Sequence, residues 1–164
     1  AIDYVLTYEE LRDLFTTTDI DLEHLEEDNV PHASRAGIRY AYAGGVAEAV
    51  AATVKRLDPN RKIEVKVRRA DSVPDCKAMI DSILKGNREG NFFEGMGCRG
   101  GCVGGPKALV PKEQGKLNVM AYSDESTYKT PAENPYVIEL LKQLGFETVE
   151  EFLTKSDLYD RKFD

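Results

Sequence analysis

No apolar run in this 164-residue chain is long enough to span a bilayer, and no secretory signal opens it. Cysteine is scarce: three residues, an odd number, do not suggest a disulfide framework, so a reducing cytoplasm is the expected location. Histidine is scarcer still. His24 and His32 both lie in a polar stretch, far in sequence from the cysteines, and read as solvated side chains. A structural zinc site needs four ligands, which two cysteines and those distant histidines do not supply. With no Cys–His pair, nucleophilic thiol chemistry also lacks support. Basic charge is outnumbered, 22 Lys and Arg against 29 Asp and Glu, for a net −7. That balance argues against binding nucleic acid or an anionic membrane. Internal repeats and low-complexity segments are missing too.

What remains is an ordinary globular composition, 41% hydrophobic and 31% charged, of a size that buries one core. The acidic run Asp21 to Asp28 reads as a solvated loop rather than a docking site for a basic partner. The first residue is Ala rather than Met, which fits simple processing or a segment cut from a longer protein.

Strand and helix signals alternate. Ile2 to Leu6 is an apolar strand candidate, and Thr7 with Glu10 forms a capping-box signal before Leu11, Leu14 and Phe15. Ile38, Tyr40 and Tyr42 alternate with Arg39, Ala41 and Ala43 as a second strand, broken by Gly44-Gly45. Val46 to Leu57 is predicted helical, and Ile63, Val65 and Val67 form a third alternating strand. Pro74, after Asp71 and Ser72, opens a helix with the stripe Cys76, Met79, Ile80, Ile83 and Leu84, closed by Gly86. On that stripe Cys76 reads as a small hydrophobe in the core. Asn91 to Glu94 is a fourth strand. Further helices are predicted over Lys112 to Tyr122, interrupted by Gly115, and after Asn134-Pro135 and Thr148, with a polar tail from Asp157 that frays.

The expected fold is therefore α/β: three layers, a mainly parallel sheet of about four strands flanked by helices, and a helical C-terminal extension. Residues 1–126 form the main lobe and 127–164 the extension. Gly44-Gly45 reads as a tight turn for close packing, since it lacks the third glycine of a dinucleotide fingerprint and the lysine of a phosphate loop. The cysteine loop also follows a strand end, so topology places both loops at one edge of the sheet.

That loop, Glu94-Gly-Met-Gly-Cys-Arg-Gly-Gly-Cys-Val-Gly-Gly-Pro106, carries the strongest chemical signal. It sets Cys98 and Cys102 four residues apart among six glycines. Thiolates bind soft metals and iron–sulfur centres, and glycines let backbone approach a bulky cofactor. Two cysteines cannot complete a cubane cluster, so the site is half-built.

The motif resembles the last signature of the iron–iron hydrogenases. Gly44-Gly45-Val46-Ala47-Glu48-Ala49 resembles that family's glycine-glycine-valine-methionine-glutamate-alanine turn, with supporting similarity in Leu6 to Leu22 and Val65 to Gly86, over roughly residues 1–125. The resemblance implies an active site in which a 4Fe–4S cubane is bridged to a two-iron unit bearing carbon monoxide, cyanide and a dithiolate. Cys98 would ligate the cubane, and Cys102 would ligate it and bridge to the two-iron unit. Met96 would pack beside that unit, Tyr40, Ala41 and Val46 would line the pocket, and Gly101, Gly104 and Gly105 would admit the cluster. Glu94 matches a motif position without an assigned role.

The family's two earlier motifs, with the other cubane cysteines, a proton-delivering cysteine and a cyanide-holding lysine, have no counterpart here. The chain thus resembles the second lobe of the catalytic domain, which alone would bind no complete cluster and would be inactive. Implied partners are the N-terminal lobe, iron–sulfur domains or a ferredoxin, and dihydrogen. Gly104-Gly105-Pro106 stands where the commonest members carry three glycines, glutamine and proline, and Ala41 and Ala43 replace the usual glycine and threonine. Those departures resemble the divergent, hydrogen-sensing branches. Two alternatives stay open: a hydrogenase-like iron–sulfur protein with an assembly or interaction role, and a thiol redox module.

Overall fold

The computed structural model of the protein describes residues 2–26 and 32–158. Three helices come first: α1 (Tyr8–Thr17), α2 (Arg35–Ile38) and α3 (Gly45–Leu57). Strand β1 (Val67–Asp71), helix α4 (Val73–Leu84) and strand β2 (Phe92–Met96) follow, then α5 (Lys112–Asp124), α6 (Pro135–Gln143) and α7 (Val149–Lys155). The strands pair in parallel, Val67 opposite Phe92 and Asp71 opposite Met96. A parallel pair needs a crossover, and α4 supplies it, making one βαβ unit.

Caps fix the helix ends. Thr7 N–H donates to Glu10 Oε2 at 2.7 Å while Glu10 N–H donates to Thr7 Oγ1 at 3.3 Å, a reciprocal capping box. Ser72 Oγ accepts Asp75 N–H at 3.1 Å ahead of α4, and Asn134 Oδ1 accepts Tyr136 N–H at 3.0 Å ahead of α6. Thr148 Oγ1 does the same for Glu151 N–H at 3.0 Å in α7. Each bond satisfies an amide the helix leaves without a partner.

Among the described residues the sheet has two strands, not four, so the expected three-layer arrangement is reduced to the βαβ unit with helices beside it. Among the described residues no strand pairs with Ile2 to Leu6, and Ile2, Tyr4 and Val5 stand almost fully exposed. A strand is stable only with a partner, and no edge is brought to it. Ile38 to Tyr42 is not a strand either: α2 runs to Ile38 and Arg39–Ala41 is a short 3₁₀ turn. Tertiary partners decide this. Ser34 Oγ accepts Gly37 N–H at 3.2 Å, and the N–H groups of Arg35 and Ala36 donate to the carbonyls of Tyr128 and Lys129 at 2.7 and 3.1 Å. The third strand lies over Val67–Asp71 rather than Ile63 to Val67, because pairing with β2 outweighs the upstream alternation. Gly115 does not interrupt α5; it is buried there, and a Cβ would lie 3.1 Å from Val103 Cβ. Glu27, Asp28 and the tail from Tyr159 lie outside the described residues.

The buried apolar residues are small: Ala36, Ala47, Ala49 and Ala70, joined by Tyr42 and Leu141. Small residues let α3 sit close to β2 and α2. After α5 the chain returns to α2, and Asn134 Nδ2 donates to the His32 carbonyl at 2.7 Å. No helix among the described residues is long and apolar enough to cross a membrane.

Candidate metal centre

Beyond Met96 the chain makes successive tight turns. Gly101 N–H donates to Cys98 O at 3.0 Å, Gly104 N–H to Gly101 O at 3.0 Å, and Gly105 N–H to Cys102 O at 2.9 Å. Cys98 is half-buried and Cys102 exposed, and both thiols are free. Cys102 therefore faces outward from the edge of the lobe.

The cysteine loop and the glycine turn meet at that edge, although a 3₁₀ turn and not the expected strand leads into the glycine pair. Ala43 N–H donates to Gly100 O at 2.8 Å. Gly101 makes the approach possible: its φ is +89°, and a Cβ there would stand 2.5 Å from Ala43 N. On the turn side, a Cβ on Gly45 would lie 1.6 Å from Arg39 O, which bears out the close-packing role of the glycine pair. Two carboxyl groups hold the assembly from beneath. Glu94 Oε1 accepts Gly44 N–H at 2.7 Å and Oε2 accepts Ala47 N–H at 2.9 Å, while Asp71 Oδ2 accepts Gly100 N–H at 2.8 Å.

Tyr40 (exposed) and Ala41 and Val46 (half-buried) flank the glycine turn. Met96, half-buried, ends β2, and its carbonyl lies 3.5 Å from the Cys76 thiol, which also faces Ala70 O at 3.7 Å. Cys76 is thus packed beneath the strands, as its place on the apolar stripe predicts. His24 sits exposed on Asp21 at 2.7 Å, and His32 packs edge-on against Tyr136 with ring centroids 4.2 Å apart.

Two residues escaped sequence reasoning. The Tyr8 hydroxyl donates to Cys102 O at 3.0 Å, clipping α1 onto the cysteine loop across 94 positions of sequence. Nothing local signals such a contact. Tyr42, counted as a strand residue, is buried behind the glycine turn, its hydroxyl 3.0 Å from Glu48 Oε2 and Lys116 Nζ 4.7 Å from its ring centre. Burial pushes its phenol pKa up, and the Glu48 hydrogen bond adds to the shift.

Among the described residues no group of three or more His, Cys, Asp or Glu side chains converges as a metal cage. Two free thiols at an outward-facing edge fit a thiolate cluster whose other ligands come from elsewhere. Among the described residues no further ligands stand with them to close such a cluster.

No curated protein matches the chain. A family model described as iron only hydrogenase large subunit, C-terminal domain, matches residues 1–106. The matched segment takes in α1, the glycine turn, both strands and the whole cysteine motif, and it stops short of residue 125, where the resemblance alone would end it. The chain belongs to the family formed by the C-terminal domains of iron-only hydrogenase large subunits.

Proposed function

We propose that this chain is the second lobe of an iron–iron hydrogenase catalytic domain and supplies two of the four cubane thiolates, Cys98 and Cys102. One observation carries the proposal: a family-matched cysteine loop and glycine turn are bonded edge to edge, Ala43 to Gly100 at 2.8 Å, with two free thiols and no further cage around them among the described residues. Residues 1–126 would form the lobe and 127–164 a helical extension packed on it or trailing it.

When bound, the cubane and its two-iron unit supply the interconversion of dihydrogen with protons and electrons. The chain's own residues ligate and enclose. Cys98 and Cys102 would hold the cubane, Cys102 being the thiolate that also adjoins the two-iron unit. Met96 would pack beside that unit, Tyr40, Ala41 and Val46 would wall the pocket, and Gly101, Gly104 and Gly105 would leave room for close approach. A lobe that contributes half the ligands needs its counterpart, so the N-terminal lobe is the first partner, with an iron–sulfur domain or ferredoxin exchanging electrons in the cytoplasm. The Gly104-Gly105-Pro106 ending favours a divergent, hydrogen-sensing parent. A second reading is a hydrogenase-like iron–sulfur protein with an assembly or interaction role and no hydrogen chemistry.

The chain alone is expected to be inactive. After reconstitution with iron and sulfide it should evolve no hydrogen, and gas chromatography that detects turnover would overturn this. In the intact parent, Cys98→Ser with Cys102→Ser should abolish the cubane signal in electron paramagnetic resonance. Full iron content and turnover without both thiols would refute the ligand assignment.

A further inference from the structure

Glu94 occupies a motif position to which the resemblance assigns no chemistry, yet it is only 5% exposed, on the strand that leads into the cysteine loop. A carboxyl group survives burial where donors replace its lost water. Here both oxygens are engaged, by Gly44 N–H at 2.7 Å and Ala47 N–H at 2.9 Å. Those amides belong to the start of α3, where unpaired N–H groups and the helix dipole favour an anion.

The neighbouring strand repeats the device on the other loop, where Asp71 accepts Gly100 N–H at 2.8 Å. Turn and loop are then joined directly by Ala43 N–H and Gly100 O at 2.8 Å. The paired strands close the circuit, since Glu94 lies opposite Arg69 and Asp71 opposite Met96. Hydrogen bonds therefore run from β2 through Glu94 to the glycine turn, across to the cysteine loop, and back through Asp71 to β1.

We propose that Glu94 is a positioning residue: it sets the glycine turn against the cysteine loop, and so holds the thiol pair and the pocket wall in register before any cluster binds. The inference rests on the cysteine loop being a cluster half-site, although its geometry involves no iron. A plain helix cap would act on Gly44 and Ala47 only. A positioning residue acts through Ala43 and Gly100 on cysteine-loop residues to which it makes no hydrogen bond.

The test uses the full metal-free chain, comparing wild type with Glu94→Gln by amide hydrogen exchange and by alkylation of the thiols followed by mass spectrometry. Glutamine turns one acceptor oxygen into a donor that faces an N–H group. Exchange should quicken roughly tenfold, the effect of losing one such bond, at Gly44 or Ala47 and also at Ala43 and Gly100. Cys98 and Cys102 should alkylate several-fold faster while Cys76 on α4 keeps its rate. Faster exchange confined to Gly44 and Ala47, with unchanged rates at both loop thiols, overturns the proposal. Should Glu94→Gln fail to fold, Asp71→Asn tests the circuit from the other side: it must loosen Gly44 as well as Gly100, and loosening at Gly100 alone overturns the proposal. Loss of the cluster assignment in the parent would leave these results standing, and the reverse also holds.

Discussion

At Gly101 the backbone runs with a φ of +89° and a Cβ would stand 2.5 Å from Ala43 N, so the meeting of the two loops depends on one absent carbon. Gly97, in the same loop, has open space where its Cβ would be. The pair makes a controlled comparison. Gly101→Ala should lower the free energy of unfolding by at least ~2 kcal/mol, from strain and displaced backbone together. Gly97→Ala should stay within about 0.5 kcal/mol of wild type. Urea denaturation reads both, and equal midpoints would show that the loop relaxes freely. At this scale the sequence was informative about residue type: six glycines around two thiols signalled close backbone approach. It could not say which glycine is pressed against which atom, because the opposing atom belongs to Ala43, distant in sequence.

The helices and strands divide by what stabilises them. Helix starts were legible, since caps act within three or four residues: Thr7, Ser72, Asn134 and Thr148 all cap as their sequences predict. The α1 cap makes stability depend on pH. Glu10 titrates below the usual glutamate range, chiefly because its carboxylate accepts the Thr7 backbone N–H and secondly the Thr7 hydroxyl. A lowered folded pKa gives a contribution fully present above the ordinary value and lost as pH falls through the folded one. Acidifying from about pH 6 to about pH 3 should therefore release the Thr7 amide and fray the first turn of α1. Nuclear magnetic resonance of that amide should follow a transition below the ordinary glutamate midpoint, absent in Glu10→Gln. An amide shift that stays flat in the wild type would contradict it. Strands were less legible. Ile38 to Tyr42 alternates well, but Tyr128 and Lys129 offer its neighbours helical partners. Val-Arg-Arg-Ala-Asp alternates poorly and is a strand because β2 lies alongside.

Over the whole molecule, the buried apolar residues are mostly alanines while larger ones stay outside. Leu11, Leu14, Ile20 and Leu22 are exposed around α1, and an open groove of about 480 Å³ there is lined by Leu11, Phe15, Ile20, Leu22 and Leu109. Apolar surface of this kind marks an interface. It adjoins the clip between Tyr8 and Cys102, so the N-terminal lobe proposed as partner would also cover this face. The isolated chain should bind an apolar dye such as anilinonaphthalene sulfonate, and adding the N-terminal lobe should reduce that fluorescence severalfold. Unchanged fluorescence alongside a formed complex would place the interface elsewhere.

By itself the sequence determined the chemistry on offer and the local punctuation. Two thiols in a glycine-rich loop, a glycine turn and helix caps are all properties of residues close together in the chain. The tertiary structure decided which segments become strands, which loops meet, and that Asp71 and Tyr8 bond the cysteine loop while Glu94 bonds the glycine turn. Those outcomes depend on hydrogen-bond partners tens of residues away, and a backbone amide takes whichever acceptor the folded chain brings to it.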